Sequence, residues 1–566
     1  MASIGSGKAP PREIVRLARH LHAKHPEDPA YEWWSSLGGA SLTNVERDLH
    51  RRSKPWTSKA LEPFVIPLTL ESDHDGAYTA QWATLAPYEV FHAIYEAGPQ
   101  FEVSFLGADG PPGVADYWAS YSESMTHHVA SEHWDERGSF IPIFLHTDGG
   151  ECFNDEEFSI WQWSSALAAS GNTWDYRIFC TLLPEHRKHG RVTDDELVAY
   201  FAWNISVLES KKHPACDHLG RPLQGNRANR AGLPIAGPWG AAFVGHLCDL
   251  KERVKVKKFQ RNFQCNFLCE KCLGCRHLVE GNAYDMAEGA LWTKLLVTHE
   301  GYLASTSPSD LSPFVRFRSW TIQRNRDDLL HCCWLGFAKD VSGQLMFDVA
   351  TMYMGGDLNS TLPLLHDLMV KWFRNKGVWC GMRAWRQTTL SWQDWNDYPV
   401  VETKMKGIHS KMTFLFMAWL VVMIVKEGVD TTPYARKRAT MAWCLHEAIR
   451  LFDGSDRWMP RPSADRSSHF GWSFLRCYQQ LAAEAVACNR CAFKLRPKFH
   501  GFAHLLMEVQ LTRENPKGRD LFDCEDYVGK VKGLASQCHR GNIDEGVCRR
   551  MILFLTHRWQ SRRKVA

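Results

Sequence analysis

Residues 242–277, AFVGHLCDLKERVKVKKFQRNFQCNFLCEKCLGCRH, constrain this chain more than any other stretch. They read as a buried strand ending in an acid, Asp249, then a basic amphipathic segment, then a run of thiols that begins at Cys265. Cys269-Glu-Lys-Cys272 is a C-x2-C pair, half of the four ligands that a closed tetrahedral zinc site takes. Cys265, Cys275 and His277 are near enough in sequence to complete it locally, with Cys272 and Cys275 as an alternative pair. Much later, His500-Gly-Phe-Ala-His504 places two imidazoles at i, i+4 on one helix face, a common ligand spacing. If Cys269, Cys272, His500 and His504 form one Cys2His2 site, everything between the two pairs must leave the site and return to it.

A chain of 566 residues accommodates two to four domains, or one domain split by a large insertion. Its 45% hydrophobic and 23% charged residues are ordinary for a globular protein. The net charge is only +4, so any nucleic-acid affinity has to come from local patches. Most of the 24 tryptophans are expected in apolar cores, with a few available as stacking platforms for bases. The N-terminal residues MASIGSGKAPPREIVRL lack the apolar run of a signal peptide, so the 18 cysteines are expected to be reduced. The longest apolar run, Met412–Val425, has 14 residues where a spanning helix needs about 20, which predicts a buried core helix and a soluble intracellular protein.

Along the chain, residues 1–135 contain two basic segments, PPREIVRLARHLHAKH and TNVERDLHRRSKPW, open to DNA contact or to simple solvation. Residues 139–147, SFIPIFLHT, are an apolar strand expected to stop at Asp148-Gly149-Gly150, where glycines suit a turn. FSIWQWSSALAAS alternates and then becomes helix-like, RIFCTLLP (177–184) is a further strand, and residues 194–210 are a helix with an acidic start. The order strand–Asp, strand, helix, strand–Asp predicts an α/β domain with carboxylates at strand ends. Residues 278–490 read as a helical insertion, with amphipathic pieces at 283–298, 345–354, 362–375, 410–426, 440–452 and 473–488. In 491–566, Val528, Val531, Leu534 and Ala535 mark one face of a helix, and a basic tail follows with Arg549, Arg550, Arg558, Arg562, Arg563 and Lys564.

Cleaving a phosphodiester at neutral pH requires a way to activate the attacking oxygen and a way to stabilise the leaving one. Two divalent ions about 3.5–4 Å apart do both. Hard cations such as Mg2+ take carboxylate oxygens, so two or three acids must converge from rigid elements. Asp148 and Asp249 end strand candidates, and Glu525 starts the late helix with Asp523 and Asp526 as its rivals. Twenty residues separate Asp249 from Cys269 and 25 separate His500 from Glu525, so a zinc joining the two ligand pairs would carry Glu525 back to the sheet.

The order Asp, Asp, C-x2-C, H-x3-H, Glu resembles that of the DDE-type transposases of the CACTA-like group and the related recombination-activating recombinase. HTDGGECFNDEEFSIWQWSSAL, RDDLLHCCWLGFAKDVSG (326–343, with Asp328 and His331) and RPKFHGFAHL…NPKGRDLFDCEDYVGKV resemble that family's first-acid, D-x-x-H and final P-K-x-H…E segments. The resemblance covers roughly 140–560 discontinuously and leaves the first 135 residues without a match.

It implies an RNase H-like mixed-sheet core (136–277) interrupted by an α-helical insertion (278–490) and completed by 491–566. Catalytic Asp148, Asp249 and Glu525 would hold two Mg2+ ions, and one structural Zn2+ would sit on Cys269, Cys272, His500 and His504. Asp328 and His331 would be accessory. Lys251, Arg253, Lys255, Lys257, Lys258 and Arg261 would contact DNA phosphates. The implied protein is a nuclear homodimer that acts on DNA, without a membrane, by strand cleavage and transfer. An inactive or domesticated DNA- or protein-binding descendant with a structural zinc is the alternative.

Overall fold

The computed structural model describes residues 10–40, 42, 45–53, 61–72, 76–121, 128–153, 156–168, 171–402 and 404–563. Parts of the expected basic segment 43–56 and Lys564 lie outside the described residues, as do the side chains of Arg562 and Arg563. The fold is mixed α/β. Its strands are β1 (Phe64–Ser72), β2 (Gly76–Thr84), β3 (Phe140–Cys152), β4 (Glu156–Ser165), β5 (Ile178–Pro184) and β6 (Gly240–Leu247). The helices that matter here are α1 (Pro11–Lys24), α2 (Val192–Ser210), α3 (Leu250–Lys257), α4 (Ala338–Met352), α5 (Leu358–Arg374), α6 (Gly407–Lys426), α7 (Pro433–Asp453), α8 (Arg461–Ala487), α9 (Pro497–Thr512), α10 (Phe522–Ala535) and α11 (Ile543–Arg563).

Four strands form one sheet in the order β5-β4-β3-β6. Strands β3, β4 and β5 run antiparallel in sequence, and α2 then carries the chain to β6, which pairs parallel with β3. Every residue of β5 and β6 is buried, as expected of unbroken apolar runs covered on both faces. By contrast, β1 and β2 form a separate antiparallel hairpin, and β1 alternates between buried and more open residues.

Three local expectations change. The strand does not stop at Asp148: β3 runs on through Gly149 and Gly150 to Cys152, paired with β4 throughout. The glycines serve close approach here, since a Cβ on Gly150 would lie 2.9 Å from Lys532 Cδ and 3.3 Å from Val528 Cγ1 of α10. Residues 166–168, after FSIWQWSS, leave the strand without forming a helix. The piece at 283–298 holds only one short turn of helix, Leu291–Lys294. The other five amphipathic pieces lie largely within α4, α5, α6, α7 and α8.

The expected division near residue 135 is not respected by the packing. Residues from Leu61 to Tyr121 share the main core with the sheet and the helices, and Trp82 Nε1 donates to Thr181 Oγ1 of β5 at 3.2 Å. A second, smaller core joins Val15 of α1 with Leu37, Leu42, Val45, Leu49 and Leu553 of α11. Among the described residues, α6 is the one helix long and apolar enough to cross a membrane, by length and composition only. Half of its apolar window is buried, with Phe414, Phe416, Met417 and Val421 in the main core.

Candidate metal centres

The thiols and imidazoles from the two ends of the helical region meet. Cys269 Sγ lies 3.4 Å from Cys272 Sγ, 3.4 Å from His500 Nε2 and 3.3 Å from His504 Nε2. Cys272 Sγ is 3.3 Å from His500 Nε2, and the two Nε2 atoms are 3.2 Å apart. Tetrahedral zinc with bonds of about 2.0–2.3 Å needs ligand atoms roughly 3.3–3.8 Å apart, so the four donors fit such an ion with little adjustment.

Supporting contacts set the donors. His500 Nδ1 donates to the Ala283 carbonyl at 2.9 Å, which directs Nε2 at the site. Gly274 N–H points at Cys272 Sγ at 3.3 Å, and the Trp292 ring lies 4.2 Å from that of His500. Burial alone would raise the Cys269 thiol, but the Cys272 hydrogen bond and the two imidazoles bring it well below the usual cysteine range. Sharing with Cys269 and burial push Cys272 up, while burial lowers His504 and keeps its ring in the neutral, ligating form. Cys265 is turned away, with its thiol toward the Gln260 carbonyl, and Cys275 is absent from the cluster. The pair that meets the histidines is thus Cys269 and Cys272.

The acids converge at a second place. Asp148 lies on β3, and α10 packs across that strand, with Val528 and Lys532 over Gly150, and sets the Glu525 carboxylate beside that of Asp148. Burial raises Asp148 well above the usual carboxyl range, and the neighbouring charges of Glu525 and Asp249 push the same way. Burial would raise Glu525 too, but its hydrogen bond and ion pair with His331 hold it lower. His331 Nε2 is 3.4 Å from Glu525 Oε1, and its Nδ1 is 3.2 Å from Asp328 Oδ2. Asp328 also caps the turn by accepting from His331 N at 2.8 Å.

The rivals of Glu525 are occupied elsewhere. Asp523 accepts from the Tyr176 hydroxyl at 2.5 Å, and Asp526 pairs with Thr173 and Lys530, each at 2.7 Å. Asp249 follows β6 and caps α3, where its Oδ1 accepts from Glu252 N at 2.6 Å. Among the described residues, the three acids do not close as tightly as the Cys2His2 set, the group whose ligand atoms all lie within 4.8 Å of one another.

A buried histidine beside the acids was not among the expected site residues. His146 stands two residues before Asp148, on the same strand face by the period of two, and meets Gln162 Nε2 at 2.8 Å. Burial, with the Arg177 charge, lowers it to about 3, so it is a neutral polar wall beside the acids. On the opposite face of the sheet, His246 of β6 meets Thr147 Oγ1 through its Nε2 at 2.9 Å. The period-two spacing in H-T-D was the available signal for His146.

The basic segment is mostly inward. Arg253 is buried and pairs with Asp327 at 2.9 Å and Glu270 at 3.3 Å, and buried Lys257 donates to Asn325 Oδ1 at 2.7 Å. Lys255 pairs with Glu185 at 2.5 Å and Lys258 with Asp195, while Arg261 lies over the Phe267 ring. Exposed Lys251 pairs with Glu157 at 3.2 Å. Expected as a phosphate-facing strip, the segment is instead a clasp inside the protein, because α3 packs against the 325–327 turn that adjoins β6. In the C-terminal tail, Arg549 and Arg558 pair with Glu545 and Asp175.

Asp327 ties the two centres together. It binds Arg253 of α3, the helix that Asp249 caps, and Lys271 between Cys269 and Cys272. Its chain neighbour, Asp328, holds His331. Comparison with known proteins adds no family: neither a family model nor a curated protein matches this chain.

Proposed function

We propose that this protein cleaves and joins DNA as a transposase of the DDE type, with β3–β6 and α10 forming an RNase H-like core that a helical insertion interrupts. The single observation that carries this reading is the meeting of Asp148 with Glu525, which His331 holds, although the two acids stand far apart in sequence. The strand order β5-β4-β3-β6, with only β6 parallel to β3, is consistent with it. So is the position of Asp249 directly after β6.

Asp148, Asp249 and Glu525 are hard oxygen donors of the kind that hold Mg2+. Two bound ions would stabilise charge on the attacking and leaving oxygens of the phosphodiester. What the chain itself supplies is placement and charge. His331, held by Asp328, orients Glu525; burial and the neighbouring carboxylates favour the protonated form of Asp148; and His146, on the same strand face, is a neutral wall. The Cys2His2 site suits one structural zinc, which would staple the start and end of the insertion and so hold α10 on β3. DNA as partner, a homodimer and a nuclear location belong to the same proposal.

The engaged carboxylate of Asp249 favours a second reading, an inactive descendant that binds DNA or protein and keeps its zinc for structure. Nicking of supercoiled plasmid with Mg2+ or Mn2+ separates the two. Activity that disappears in Asp249→Asn supports the enzyme. Wild-type protein that does not cut, or a mutant that cuts at the wild-type rate, sinks the assignment.

A further inference from the structure

We infer that the end of α5 and the loop after it form a binding surface for unpaired DNA, with Trp379 as the stacking platform. Between Asp367 and Asp394 the chain carries Lys371, Arg374, Lys376, Arg383 and Arg386 and no acid. All five are exposed, and none forms an ion pair with a described residue. In a protein of net charge +4, this is a concentrated positive surface outside the two metal centres.

Trp379 is 86% exposed in its midst. Its position is set and not left to chance: Gly377 turns the chain at φ 71° after α5, and Val378 N–H bonds back to the Phe373 carbonyl at 3.0 Å. The indole lies on Gly381, where a Cβ would fall 2.3 Å from ring carbon Cη2. One face of the ring therefore rests on backbone and the other is open. Lys376 stands 4.6 Å over the adjoining Trp372 ring, which continues the surface.

An open indole face among unpaired cations matches a nucleic-acid strand, whose phosphates meet the cations and whose bases stack. Within a duplex the base faces are already stacked on one another, so the ligand is single-stranded. Trp395, 67% exposed, lacks this setting because it is flanked by Asp394 and by Asp397 two residues on. The surface is also tied to the acidic centre. Thr413 Oγ1 of α6 lies 3.8 Å from Met382 Sδ of the loop, and a Cβ on Gly407 at the start of α6 would strike Leu330 at 2.4 Å and Phe522 at 3.0 Å. Those two residues belong to the segment of His331 and the helix of Glu525.

The choice of DNA over RNA rests on the proposed function; the strand-binding surface itself does not. The test is fluorescence anisotropy of labelled oligodeoxythymidylate of about 16 nucleotides, using the full-length protein. Trp379→Ala should weaken binding by roughly 5- to 150-fold, Trp379→Phe should retain most of it, and Trp395→Ala should leave it unchanged. Replacing Lys371, Arg374 and Lys376 by Gln should reduce the log–log salt slope by about 2. Unchanged binding in Trp379→Ala, or an equal loss for a blunt duplex, overturns the surface. Tighter binding of oligouridylate overturns DNA as its ligand. Plasmid nicking is scored separately. Nicking with Trp379-independent binding removes this surface and leaves the nuclease, whereas Trp379-dependent binding without nicking removes the nuclease and leaves the surface.

Discussion

His331 stands between Glu525, 3.4 Å from its Nε2, and Asp328, 3.2 Å from its Nδ1. Burial would lower its pKa, but the two carboxylates raise it well above the ordinary histidine value and favour the charged ring. An imidazole held by one acid thereby contacts an acid on a different helix.

That relationship distinguishes the three clustered acids. Glu525→Gln is expected to reduce metal-dependent nicking to background, whereas Asp523→Asn and Asp526→Asn retain it, since those carboxylates serve Tyr176 and Thr173. His331→Gln should fall between, with a loss of about 10- to 100-fold, the usual effect of removing a group that orients a metal ligand. Initial nicking rates at matched protein stability test the series. An inactive Asp526→Asn with an active Glu525→Gln would move the last acid to Asp526.

One zinc per chain is expected from elemental analysis of the purified protein, and Cys269→Ala and His500→Ala should each release it. Cys275→Ala should keep it, because that thiol is not in the cluster. Zinc retained in His500→Ala would mean a local cysteine site and no staple between the two ends of the helical region.

Asp327 is a buried anion between Arg253 and Lys271. Burial opposes its charge, yet the two cations hold its carboxyl well below the usual range. Asp327→Ala would leave Arg253 buried with less compensation, at a cost of about 3–5 kcal/mol. A clear drop in thermal midpoint, together with weaker zinc retention under chelator, is the expected result. A midpoint within experimental error of wild type would show that the network is not a support.

Acid should weaken the fold partly through His128. Its Nε2 lies 3.2 Å from the Phe243 carbonyl and its Nδ1 accepts from Ala130 N at 3.0 Å, a pattern that a neutral ring satisfies. Burial, then the Arg324 charge, lowers its pKa to about 3 from an ordinary 6.5. The unfolded ring takes up a proton first, so its stabilising contribution is complete above pH 6.5 and is lost progressively between 6.5 and 3. The slope is up to about 1.4 kcal/mol per pH unit. His128→Asn, which keeps a capping acceptor, should flatten the fall in thermal midpoint between pH 7.5 and 5, and an unchanged slope would exclude His128 as a source.

What the sequence determined by itself is local. Unbroken apolar runs specified β5 and β6 because a strand covered on both faces has no polar side to show, and 3.6-residue periodicity marked the long helices. The C-x2-C and H-x3-H spacings marked out residues that could hold a metal, since such geometry is built within one turn. Tertiary structure decided what depends on neighbours far along the chain. It chose Cys269 and Cys272 over Cys275, turned Glu525 and not Asp523 or Asp526 toward Asp148, and drew β3 through two glycines so that α10 could cross it. It also turned Arg253 and Lys257 inward, where buried acids and an amide meet them. A charge pattern in sequence has the same form whether it faces water or a buried carboxylate, and only the packing of α3 under the 325–327 turn supplies the partner that makes burial stable.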